Sequence, residues 1–192
     1  MVIDKDISSD EILVRYVFLD DFKAKNAIKE KIITKNLLGP LRGGTSLQRE
    51  KYCDENKCTE LGNKIPNKTL VGFLLFNKND FEKVKKEFIE SNENSGTGVI
   101  LDAYLKATPM DENFKELDFK ESIITVNTKG NPAHADLIYL KPILIPEDTE
   151  VYEKPNTTIR SFSKKMYVYS NLVFNESEDL TLYSGIKFQE FY

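Results

Sequence analysis

The sequence predicts an α+β fold: one domain over residues 1–192, with about four helices packed on a mixed or mostly antiparallel sheet. Three observations carry that expectation. Strand-length runs of branched and aromatic residues, Ile12–Phe18 (ILVRYVF) and Leu70–Phe76 (LVGFLLF), stand beside segments with helical three-to-four spacing. The two kinds of segment mix without strict βαβ alternation. The length, 192 residues with 40% apolar content, is enough for one substantial core.

The elements follow in order. Ile12–Phe18 reads as a strand with Arg15 in its middle, either a buried ion-pair partner or an edge residue. Asn26–Asn36 reads as a helix ended by Gly39-Pro40, and Leu41–Gly44 as a turn. Thr45, with Gln48 three residues on, has the pattern of a capping box that opens a helix running to Leu61, with Gly62 as its stop. The continuous apolar run Leu70–Phe76 suits a strand covered on both faces. Asn79 is placed to cap a helix whose Phe81, Val84, Phe88 and Ile89 share one side, and Ser91–Gly98 then forms a loop. Val99–Ala107 reads as a strand, followed by a polar connection through Asp118. Ser122–Val126 and Ala135–Leu140 read as two more, separated by the turn-rich Asn127–Pro132. Pro142 and Pro146 interrupt pairing. Thr158 is expected to cap a last helix that buries Ile159, Phe162, Met166 and Tyr169. The tail Leu180–Tyr192 suits either a closing strand pair or an aromatic-rich wrap.

Charge narrows the function. Lys plus Arg is 27 and Asp plus Glu is 31, a net of −4, with the two signs interleaved. Such a chain has no general field for nucleic acid or anionic membrane. The small basic face of Arg160, Lys164 and Lys165 reads as solvated surface rather than a phosphate site. The first residues lack the pattern of a secretory signal, and no run approaches the roughly 18 apolar residues of a membrane span. A cytoplasmic location is expected. Cys53 and Cys58 are too few for a disulfide framework, and one histidine is too few to complete a zinc site around them. On one continuous helix a spacing of five turns the thiols apart, so reduced and unpaired thiols are expected. No cofactor is implied.

No complete catalytic motif is present: no Walker loop, nucleophile elbow, dinucleotide fingerprint or zinc-protease helix. Two segments are richer in chemistry than the rest. In Arg42–Arg49, free N–H groups at a capped helix start beside Ser46, flanked by Arg42 and Arg49, would make an anion pocket; the plainer reading is an ordinary cap with solvated arginines. In Gly130–Asp136, the single histidine His134 and Asp136 lie two apart on a strand and so share a face, which suits a general acid/base with its orienting carboxylate. The plainer reading there is a structurally hydrogen-bonded histidine. Phe188, Phe191 and Tyr192 at the C-terminus must pack on the domain or on a partner.

Taken in order, Gly44-Thr45-Ser46-Leu47-Gln48-Arg49, Gly72-Phe73, Asn131-Pro132-Ala133-His134-Ala135 and Arg160–Lys165 resemble a group of small bacterial proteins of uncharacterised activity. The resemblance implies a bacterial, cytoplasmic setting and adds weight to Arg49 and His134. It implies no reaction. Two functions follow from the sequence. One is an accessory protein that docks onto a protein partner or a second copy, in a toxin, immunity or phage-defence cassette. The other is a hydrolase or transferase on a phosphate-containing or nucleotide-like substrate. In that case Arg42 and Arg49 hold the anion, His134 moves the proton and Asp136 orients the ring.

Overall fold

The structure, a computed structural model, describes residues 1–21, 37–40, 44–94, 96, 101–141 and 151–174. The expected Asn26–Asn36 helix, Arg42, Pro142, Pro146 and the aromatic tail with Phe188, Phe191 and Tyr192 lie outside the described residues. Within them a six-stranded antiparallel sheet carries three α-helices, so the class is α+β. The strands are β1 (Ile12–Phe18), β2 (Gly44–Arg49), β3 (Leu70–Asn77), β4 (Asp102–Ala107), β5 (His134–Leu140) and β6 (Asn171–Phe174), in the spatial order β4-β5-β2-β1-β3-β6. The helices are α1 (Glu55–Asn63), α2 (Lys78–Asn94) and α3 (Thr157–Val168).

Alternation along the strands divides two buried layers. Leu13 and Val17 of β1, Leu47 of β2, Leu74 and Phe76 of β3, and Leu137 of β5 meet α2 and α3. Phe162 of α3 is the hub of that layer, with its ring 6.0 Å from Phe81, 5.6 Å from Phe88 and 6.3 Å from Tyr139, each edge-on. Val14, Tyr16, Phe73 and Leu75 point the other way, to Cys53 and to Cys58 of α1. The β3 run is therefore buried on both faces, as its composition predicts, although its neighbours are antiparallel.

Several expectations are corrected. Thr45 opens no helix. It is buried in β2, and its hydroxyl donates to the carbonyls of Leu38 (3.2 Å) and Gly39 (2.8 Å) instead of capping. The chain turns through a short 3-10 segment, Glu50–Tyr52, and a helix begins only at Glu55, where Asp54 accepts from the Lys57 amide at 2.8 Å. Asn77, not Asn79, caps α2 through the Asp80 amide. That helix runs into the expected loop as far as Asn94, with the Ser91 and Asn92 side chains turned back onto the Glu87 and Phe88 carbonyls, both at 2.6 Å. Asn156 caps α3 in place of Thr158, and Tyr169, past its end, is 40% exposed rather than buried. Ser122–Val126 is not a strand. It makes one bridge, Thr125 to Val2, with Ile124 buried and Ile123 in solvent. At Gly130 φ is +101°, and a Cβ there would run into the Asp111 backbone, so this turn requires glycine.

Truncating the hub of the larger layer, Phe162→Ala, is expected to cost about 3–5 kcal/mol in denaturant unfolding, with Phe162→Leu clearly milder.

Candidate functional site

Two features converge near the outer strand β4. The first is built from the N-terminal segment. Arg49, at the end of β2, is fully buried and grips Glu11 through Nε–Oε1 (2.5 Å) and Nη2–Oε2 (2.9 Å). Nη2 also donates to the Asp6 carbonyl at 2.9 Å and Nη1 to the Asp4 carbonyl. Ile3 N–H donates to the Ile124 carbonyl, and Lys78 Nζ to the Ile7 carbonyl at 2.8 Å, so the whole segment is tied down. It forms one wall of a groove of about 590 Å³ whose other wall is Leu117–Lys120.

The floor is the edge of β4. Thr108 N–H donates to the His134 carbonyl, so by antiparallel alternation Thr108, Lys106 and Tyr104 bond inward to β5. Ala103, Leu105 and Ala107 then direct their backbone groups outward. Lys85 Nζ takes the Ala103 carbonyl at 2.6 Å, and the Leu117 amide takes the Pro109 carbonyl at 2.7 Å. Between those two contacts the N–H and C=O of Leu105 and Ala107 have no backbone partner among the described residues. Lys5, Lys78, Lys106 and Lys120 line the groove, against Asp6, Glu116 and Asp118. Among the described residues Lys106 alone of these is in an ion pair, with Glu116 at 2.8 Å.

The second feature lies just past the groove floor, where Thr108 follows Ala107. His134 and Asp136 share a face, as their spacing predicts, but the carboxylate does not bond the ring: Nδ1 to Oδ2 is 3.8 Å. Thr108 stands between them. Its hydroxyl donates to Asp136 Oδ2 at 2.8 Å, while His134 Nδ1 lies 2.9 Å from that hydroxyl and 3.0 Å from the Thr108 carbonyl. This network assigns the neutral ring a proton on Nδ1, donated to the carbonyl. Asp136 pushes the ring's pKa up, but it does not set the net direction. Burial dominates and holds it below the usual 6.5, with Asp136, the Thr108 carbonyl and Glu116 opposing and Arg15 reinforcing.

Arg49 corrects the anion-pocket expectation. Register pairs Gln48 with His134, which places Arg49 on the opposite face of the sheet, and its guanidinium is consumed by Glu11 and carbonyls. The helix start invoked for Ser46 is a strand, and Ser46 is an exposed residue opposite Asp136. Arg15, buried in the central strand β1, bonds the Ser46 and Leu37 carbonyls at 3.2 and 3.3 Å rather than an acid. The cysteines are a further correction. The helix begins between them, so Cys53 precedes the N-cap and Cys58 sits in the first turn, a pairing that folds the two side chains together. Their sulfurs are 3.1 Å apart. Among the described residues no group of His, Cys, Asp and Glu is arranged to hold a metal ion, and no helix is long and apolar enough to cross a membrane. Sequence reading missed Glu11, Thr108, Lys5 and Lys120; their roles depend on long-range packing and leave no local spacing signal.

Removing one partner of the buried pair strands a charge, so Arg49→Met is expected to cost about 3–5 kcal/mol by chemical denaturation, and adding Glu11→Leu to recover part of it. Because the folded His134 is harder to protonate than the unfolded one, its contribution is complete above pH 6.5 and declines as pH falls below that value. Melting temperature is expected to drop between pH 7.5 and pH 5.5, about one unit either side of the free histidine value, and His134→Gln to flatten the drop. The single imidazole makes the NMR titration unambiguous.

No family model, curated protein or solved structure matches the chain.

Proposed function

We propose that this is a binding protein whose β4 edge takes an extended, acidic segment of a protein partner as an added strand. One observation carries the reading: the outward N–H and C=O of Leu105 and Ala107 form the floor of a groove of about 590 Å³. Unpaired edge groups are a template for another chain, and a groove beside them supplies side-chain pockets. Charge selects the occupant. With Lys106 paired, the described lining sets Lys5, Lys78 and Lys120 against Asp6 and Asp118, a balance of one positive charge within a chain of net −4. The segment 116–117 already runs beside Pro109–Met110 on that side of the sheet, and an added strand continues its line.

The phosphate-directed enzyme reading loses Arg49 as an anion ligand, since that guanidinium is held on the other face by Glu11. His134, Thr108 and Asp136 serve in this proposal as the lock that fixes the end of β4 to β5. A bacterial setting rests on the motif resemblance alone, and no residue carries a toxin, immunity or phage-defence cassette.

The test is selection of extended peptides from a randomised display library on the full chain, with enriched sequences then measured singly. Leu105→Pro removes an outward N–H and leaves the ladder to β5 intact; Lys5→Glu with Lys120→Glu reverses the charge. The expected result is carboxylate-bearing peptides that slow amide exchange at Leu105 and Ala107. Their affinity should fall about tenfold or more in either variant and weaken with salt. Enriched peptides that bind both variants as tightly as the parent, or self-association of the chain as the sole interaction, would overturn it.

A further inference from the structure

Independently of the groove, the structure assigns Cys53 and Cys58 as a reversible dithiol–disulfide site that closes within one chain. The two sulfurs lie 3.1 Å apart, and the Cys58 thiol donates toward the Cys53 sulfur and, at 3.2 Å, toward the Cys53 carbonyl. Both residues are buried in the smaller layer, at 1% and 0% exposure. Helix α1 fixes the geometry. Asp54 caps it, so the residue before the cap and the fourth residue of the helix fold onto each other, as an apolar pair does in a hydrophobic staple. Here that pair is two thiols, and a bond requires the sulfurs to approach by about 1 Å.

A second observation concerns the surroundings. Tyr16 lies in the same buried cluster, and its hydroxyl is buried without a hydrogen-bond partner. Both sulfurs are close enough to act on its ionisation, which burial already disfavours. The site therefore holds an unused donor beside the sulfurs. The hydrogen bond to Cys53, and then burial, also push the Cys58 thiol up, so exchange waits on fraying of the first turn of α1.

The oxidant is a low-molecular-weight disulfide. The Cys53 thiol loses its proton and attacks one sulfur of that disulfide, which breaks its S–S bond and expels one thiolate. The Cys58 thiol then loses its proton and attacks the Cys53 sulfur, expelling the second thiolate as the intramolecular bond forms. The protein gives up two electrons and two protons; the small disulfide takes them and leaves as two thiols. Closing the bond staples the start of α1, and with it the cover over Tyr16 and Phe73.

The experiment equilibrates the full chain in mixtures of reduced and oxidised glutathione, with acid quenching and intact-mass and peptide mapping, once folded and once in concentrated guanidinium chloride. The expected product is a monomer lighter by two hydrogens, with residues 53 and 58 joined. The reduced-to-oxidised midpoint should lie about tenfold or more further toward disulfide in the folded chain than in the denatured one. The oxidised form should melt higher by about 2 °C or more. Cys53→Ser and Cys58→Ser each lose the product. Equal midpoints in the two states, a stable glutathione adduct in place of the internal bond, or crosslinks between chains would each overturn the assignment, whether or not the β4 edge binds peptides.

Discussion

The buried contact between Arg49 and Glu11 is the constraint on which the groove depends. Two charges removed from water at the end of β2 are tolerated because all three nitrogens of that guanidinium donate to oxygen: both carboxylate oxygens of Glu11 and the carbonyls of Asp4 and Asp6. The contact reaches across 38 residues of sequence, and it fastens the segment before β1 to the far end of β2. With Lys78 on the Ile7 carbonyl, it holds residues 4–7 in place, and they are one wall of the groove. A residue that looked like a ligand clamp in the sequence is therefore the bolt of the scaffold.

An outer strand is a hazard, since its free backbone groups invite unplanned pairing. This chain covers β4 at both ends, with the Lys85 ammonium on Ala103 and the Leu117 amide on Pro109. The stretch between them is left open and flanked by lysines. Scattered cations repel a second copy of an edge like this one while attracting a chain of opposite charge, so one residue choice both discourages self-pairing and selects a partner.

The parts of the fold that were legible in the sequence are those dictated by local pattern. Ile12–Phe18 and Leu70–Phe76 declare themselves by branched and aromatic density, and α2 by the phase of Phe81, Val84 and Phe88. The failure at Thr45 is equally physical. A threonine before a glutamine fits a capping box, but Thr45, Leu47 and Arg49 also alternate with exposed Ser46 in the two-residue period of a strand, and tertiary pairing with β5 decided between them. That one error spread. Treating 45–61 as one helix separated Cys53 from Cys58 and offered Ser46 and Arg49 to an imagined anion. His134 and Asp136 were legible as a shared face, whereas Thr108, 26 residues upstream of His134, was invisible until β4 met β5.

The strand order has a consequence for how the protein comes into being. β1 lies in the interior of the sheet, β2 and β3 flank it, and the outer positions fall to β4 with β5 on one side and β6 on the other. The sheet thus assembles from the middle outward as the ribosome delivers it. A nascent chain that has emerged only as far as Asn77 has its central three strands with both flanks bare, and they stay bare until the later segments arrive. For that interval the bare edges of β2 and β3 are open to pairing with neighbouring chains.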